Sequence, residues 1–346
     1  MNPGKALLLA AACLSPTTAQ AQINLITKTV NCDAPLTGDY PTIQQALDSL
    51  DWNGPIEIVV TGTCKPFSIG DGGFARNSVY VHPPDGQRAT ITSANQGKGQ
   101  VIQIADAHGI VIERLDISGG ANGVFVFDAS EVDFYDVTIE NNAQKGVEVQ
   151  GNSIVYFKAS RIRNNGVYGV DVSDQGANTV WFGGESTQGG PLQNVIEGNG
   201  QFGINAGTMG VATLLGANLV RNNGGTTTAA THGGIHATRT SAVQTQLPKN
   251  GGNGSTEIAN NVGFGILAEV NSSVTLQGAD IHDNTDGVRA QTRSVLELVG
   301  QNTIASNGNM DVSCDVWSLL TGDLSGINPK SIDCKNVDVA PKKPKK

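Results

Sequence analysis

Ile139-Glu140-Asn141-Asn142-Ala143-Gln144-Lys145-Gly146-Val147 is answered 23 residues later by Ile162-Arg163-Asn164-Asn165-Gly166-Val167-Tyr168-Gly169-Val170. The shared phrase is a β-branched residue, two variable residues, Asn, three variable residues, then Gly before Val or Ile. Ile196, Asn199, Gly203 and Ile204 spell it again, as do Ile258, Asn261, Gly265 and Ile266. Ile117 to Val124 and Ile281 to Val288 are shorter copies. Val220 and Asn223 begin a copy whose Gly234-Ile235 comes late. Ile304, Asn307 and Val312 close the series, with Asp311 in the glycine's place. Self-similarity at such a period marks a solenoid, in which each unit buries its apolar face only against its neighbours. Asn tolerates left-handed backbone angles and bonds locally, so the phrase predicts a sharp bend at Asn in every coil. Stacked Asn amides would then bond from coil to coil, and Gly would supply a second special backbone position.

The stretches between bends alternate. Val124-Phe125-Val126, Val147-Glu148-Val149 and Val170-Asp171-Val172 follow the glycine. A second strand follows, as in Val155-Tyr156-Phe157, Val180-Trp181-Phe182 and Val274-Thr275-Leu276, and a short third strand ends at the repeat's Ile. Alternation sends one set of side chains inward and the other outward. Three strands and three bends per coil predict an all-β parallel β-helix.

With these residues in view, the chain resembles the pectate-lyase-like right-handed parallel β-helix repeat superfamily over roughly residues 40–335. Tyr40-Pro41-Thr42-Ile43-Gln44-Gln45-Ala46-Leu47 is similar to that family's opening segment. The resemblance implies a short amphipathic helix there, plugging the N-terminal end. Without such a plug the first coil would expose its core and strand edges.

The first strand's outward residues form a column, in order Phe125, Glu148, Asp171, Asn205, His236, Leu267 and Arg289. Successive members should stand ~4.8 Å apart. Glu148 and Asp171 would be adjacent carboxylates, a candidate acid and base pair, or a calcium site with Asn205. His236 and Arg239 are the candidate bases, with His232 nearby. On the second strand Asp133, Tyr156 and Trp181 face outward on successive coils, and Tyr156 and Trp181 offer a stacking surface for sugar rings. The repeat spacing, taken from Ile117, is 22, 23, 34, 24, 38, 23 and 23 residues, so two coils carry extra residues. The first insertion lies mainly in 183–194 and the second is split between 224–231 and 245–255. Insertions in solenoids become surface loops, often on the binding face.

Residues 1–21 read as a secretory signal: Lys5, an apolar run from Ala6 to Leu14, and Ala19-Gln20-Ala21 at a cleavage-like site. Cys13 offers a lipoprotein alternative, with Leu9 one place too far upstream for the usual pattern. Residues 22–335 form the β-helix domain, and 336–346 a basic, solvated tail. Without Cys13 the cysteines pair locally, Cys32 with Cys64 and Cys314 with Cys334, as an exported chain favours. These features predict a secreted or periplasmic protein. The 22 basic and 31 acidic residues give a net charge of −9, and loss of Lys5 makes it −10, which argues against nucleic acid as partner. No later apolar run is long enough for a membrane span.

The chain thus reads as an exported β-helix that binds a polysaccharide and depolymerises or epimerises it. The alternative is a non-catalytic envelope or surface protein, a rigid spacer or adhesin. No cofactor is required by the pattern, and calcium is the cation a lyase on this acidic chain would use. Asn284-Thr285-Asp286-Gly287 resembles a polygalacturonase motif, but Asn284 and Gly287 are the repeat's own bend residues, and that family's Asp-Asp and Gly-His-Gly are absent. The alginate epimerases' Asp-Pro-His-Asp or Asp-Pro-His-Glu and the pectate lyases' Trp-x-Asp-His are absent too. Sugar, chemistry and oligomeric state stay open.

Overall fold

The computed structural model describes residues 25–49, 55–70, 76–174, 176–183, 193–225, 231–247 and 254–338. The signal sequence, Cys13, residues 339–346 of the basic tail and most of both insertions lie outside these residues. Val337 and Asp338, assigned to the tail from the sequence, instead pair with Leu320 and Thr321 as the last strand of the 13-stranded sheet.

Three long parallel sheets run the length of the molecule. Among the described residues, sheet A has 13 strands, sheet B has 10 and sheet C has 11. The chain visits them in fixed rotation. One full coil is Lys145–Val149 in sheet C, Ile154–Lys158 in sheet A and Arg161–Arg163 in sheet B. Every strand pairs in parallel with its equivalent one coil away, so Ile139, Ile162 and Ile196 stand in register, as do Val147, Val170 and Ile204. The inward members of all three sheets make one continuous core. Phe134, Phe157 and Phe182 stack along it at centroid separations of 5.1 and 5.3 Å.

The first coil is closed as expected. Helix Ile43–Asp48 lies between strands Ile26–Asn31 and Ile56–Thr61, which pair directly, and it buries Ile43, Ala46 and Leu47 against the core. Thr42 caps it, accepting from Gln45 N. The end coils carry the two disulfides, Cys32–Cys64 and Cys314–Cys334, with Cα separations of 5.1 and 4.6 Å. Replacing Cys314 and Cys334 together by serine is expected to cost about 3 kcal/mol in unfolding free energy, measured by denaturant melts.

Two details of the bend differ from the sequence reading. The left-handed residue is the one before the ladder Asn: Asn141, Asn164, Gly198, Asn222, Asn260, Asp283 and Ser306 all have positive φ, while Asn142 and Asn165 do not. The turn thereby aims the next residue's amide inward. Asn142, Asn165, Asn199, Asn223, Asn261, Asn284 and Asn307 each donate through Nδ2 to the next residue up the stack, at 2.9–3.1 Å. Asp311 ends the run by accepting from Asn307, and Gly120 N starts it by donating to Asn142 Oδ1. The recurrent glycine, for its part, lies outside the left-handed region at Gly146, Gly169, Gly203, Gly265 and Gly287. Its reason is space. A Cβ on Gly169 would stand 2.5 Å from Gly203 O and 2.8 Å from Asn199 Nδ2. Gly169→Ala is therefore expected to cost about 2–3 kcal/mol, whereas Gly225→Ala, with nothing within 4 Å, should leave the melt unchanged.

Candidate functional site

The predicted column exists on the outer face of sheet C. Phe125, Glu148, Asp171, Asn205, His236, Leu267 and Arg289 are register partners in that order. It is not a solvated face. Asp171 is 2 % exposed, Asn205 8 % and Leu267 0 %.

The polar members form one bonded chain. Lys145 Nζ lies 2.6 Å from Glu148 Oε1 and 2.5 Å from Asp171 Oδ2. Asn122 Nδ2 and Gln150 Nε2 donate to Glu148 at 2.6 and 2.9 Å. Asn205 Nδ2 donates to Asp171 Oδ1 at 2.7 Å, which turns Asn205 Oδ1 towards His236 Nδ1, 2.8 Å away. His236 Nδ1 therefore carries a hydrogen. Its Nε2 faces Glu269 Oε1 at 3.1 Å, a carboxylate placed to receive a hydrogen bond once Nε2 has taken up a proton. Gln291 Nε2 anchors Glu269 Oε2 at 2.7 Å.

The electrostatics follow from burial. Desolvation works against the Lys145 charge, but Asp171 and Glu148 outweigh it and hold the ammonium above its ordinary value. Burial pulls the His236 imidazolium below its ordinary range, with Glu269 opposing and Arg239 assisting. Burial, and then Asp171, push the Tyr168 phenol up. Phe202 stacks on His236 at 4.7 Å, and Arg289 lies over the Phe264 ring at 5.7 Å.

Lys145, Tyr168, Phe202 and Phe264 were missed in sequence. All precede the repeat glycine and share a second outward column across coils, in which Gly233 stands between Phe202 and Phe264. The glycine puts this outward residue three places before the next one, so strict alternation overlooks it. A scan of the residue before each repeat glycine would have found it. Glu269 was missed for a different reason: it sits two residues beyond the column member Leu267, at the strand's end.

The model of the right-handed β-helix region matches residues 79–250. The chain carries a right-handed parallel β-helix, the fold that this family model describes. A crystal structure of pectate lyase Pel9A superposes with a TM-score of 0.53 at 13% identity, over 91% of this chain and 78% of the lyase. The A-module of the Azotobacter vinelandii mannuronan C-5 epimerase AlgE6 gives 0.52 at 18% identity, over 82% and 77%. At these identities the likeness is one of fold. Among curated proteins no sequence matches.

One expectation for this β-helix needs correction, and the structure places two further groups of candidates. Glu148, Asp171 and Asn205 do not fit a calcium site as they stand, because the Lys145 ammonium already lies between the two carboxylates. Among the described residues, no three His, Cys, Asp or Glu side chains are grouped to hold a metal. Arg239 is not on the strand with His236: it is an exposed residue with positive φ in the turn towards sheet A. Finally, Tyr156 and Trp181 are paired neighbours on sheet A, so they and the sheet C column lie on different faces.

Proposed function

We propose that this β-helix is exported and processes an acidic polysaccharide on sheet C, with His236 as the proton-transfer residue. The observation that carries the reading is the shielded chain from Lys145 to Glu269. A buried ionic network seldom stabilises a fold more than apolar side chains would. Desolvated, mutually bonded titratable groups are commoner where chemistry needs them. Export is supported by the signal-like N-terminus and by the two disulfides.

The residues suit removal of the proton next to a uronate carboxylate. The ring is oriented by Asn205, and burial favours its neutral form at neutral pH, as a general base requires. The substrate C–H bond would break, its proton would pass to His236 Nε2, and its electron pair would move onto the carboxylate. Exposed Arg289 and Arg239 are the cations beside the column that would steady this charge. Departure of the neighbouring glycosidic oxygen with the C–O electron pair, the oxygen taking up the proton from His236 or water, then gives a lyase product, and delivery of a proton from water to the other face gives the epimer. The two structures named above carry the names of a pectate lyase and a mannuronan C-5 epimerase, which supports an acidic substrate.

The test is incubation of the mature protein with uronic and neutral polysaccharides, reading reducing ends, unsaturated products and solvent deuterium uptake. One uronic polymer should respond, and His236→Ala should lower that rate by about 10²–10⁴-fold, with a melt to show that the variant is still folded. No product and no deuterium uptake on any polymer would instead favour the non-catalytic surface role.

A further inference from the structure

The outer face of sheet A carries a cleft that this chemistry does not use. It encloses ≈ 520 Å³ near the N-terminal end and is lined by Val79, Tyr80, Val111, Glu113, Tyr135 and Lys158 among others. Its floor is apolar strand surface. Tyr80 forms one wall, held by stacking on His82 at 4.0 Å and by its phenol donating to Glu113. Tyr135 forms the rim and is 37 % exposed. Between them, Asp133 pairs with Lys158 at 3.2 Å.

The outward column that passes through the cleft leads on, beyond it, to the two aromatics singled out in the sequence. Tyr80, Val111, Asp133, Tyr156 and Trp181 are successive register partners along one outward column. At ~4.8 Å per coil the column from Tyr80 to Trp181 spans ~19 Å. That spacing is close to the rise of one ring in an extended β-linked chain. Next beyond Trp181 comes Thr213, which is 2 % exposed, so the open column stops there.

We propose that this face is a binding track for a neutral glycan, about four rings long, separate from sheet C. Aromatic rings supply the stacking surfaces. The polar groups lining the cleft are Glu113, Asp133, Lys158 and the tyrosines, with Glu57 and His82 behind Tyr80. Carboxylates accept from sugar hydroxyls but repel a uronate, and Lys158 is already paired with Asp133. The face therefore selects against the acidic polymer proposed for sheet C. The inference rests on sheet A alone and stands whether or not sheet C is catalytic.

The experiment is titration calorimetry of the mature protein with cellohexaose, mannohexaose, xylohexaose and hexagalacturonate. At least one neutral hexamer should bind, and Tyr135→Ala and Trp181→Ala should each weaken it at least fivefold. His236→Ala should leave that affinity unchanged. Circular dichroism melts check that each variant folds, and Lys158→Met with Asp133→Asn gives a second pair of substitutions in case either aromatic variant does not. Absence of binding by all three neutral hexamers at millimolar concentration would overturn the proposal. So would neutral binding indifferent to substitutions in this face, or binding of hexagalacturonate here in preference.

Discussion

Asn165→Leu should lower the unfolding free energy by about 2–5 kcal/mol. The side chain is 1 % exposed. Its Oδ1 accepts from Asn142 N and Nδ2, at 3.2 and 3.0 Å, and its Nδ2 donates to Asn199 Oδ1 and Ile139 O, at 3.0 and 3.3 Å. Leucine keeps the branching at Cγ but is bulkier and offers neither group. The Asn142 backbone N–H is then left without this acceptor inside the coil, and an unsatisfied buried donor costs about 1–3 kcal/mol. The remaining amide bonds add to that figure. Urea or thermal melts measure the effect, and a midpoint equal to the parent's would refute the ladder's energetic role. Asp is tolerated at the end of the run, where Asp311 only accepts, but Asn165→Asp would set a carboxylate against Asn199 Oδ1.

Lys145→Met is expected to cost about 3–5 kcal/mol at neutral pH. The side chains of Lys145, Glu148 and Asp171 are only 19, 12 and 3 % exposed, so removing the ammonium leaves two shielded carboxylates facing each other. Breaking a buried pair by deleting one partner carries a cost of this order. The deficit should also depend on pH. Without the cation, repulsion and burial raise one carboxyl pKa in the folded state above its unfolded value. The folded variant then binds the extra proton, so its stability falls as pH rises through that window and recovers as pH falls. Melts at pH 7.5 and 4.5 should show a smaller gap from the parent at the lower pH. Asp171→Asn in the same chain should restore part of the loss at pH 7.5. A gap of the same size at both pH values would mean that Lys145 acts by packing alone.

The outward column from Phe125 to Arg289 was legible because it depends on two local quantities, the coil period and the alternation of side chains within a strand. Both survive any twist of the sheets. The disulfide partners were legible for a similar reason, since each pair spans adjacent coils at one end of the solenoid. Lys145 escaped because the Gly146 that follows it breaks the alternation, and glycine contributes no side chain to count. Glu269 escaped because it reaches His236 from the neighbouring coil, two residues along the strand from where the column is read. The position of Tyr156 and Trp181 relative to His236 was not legible at all: periodicity says that each faces out, but not which side of the molecule its sheet forms.

By itself, then, the sequence determined a solenoid of parallel coils, its register and its Asn stack, because each is a consequence of residues at fixed local spacing, while the helical plug followed from the resemblance and the two disulfide pairs from the grouping of the cysteines. Tertiary structure alone decided that a lysine bridges the two carboxylates, that Asn205 sets the His236 ring, and that the aromatic track occupies a different face from the ionic chain. Those outcomes depend on which long side chains meet across coils and around a corner, and contacts of that kind are set by side-chain reach and sheet orientation, which no repeat period encodes.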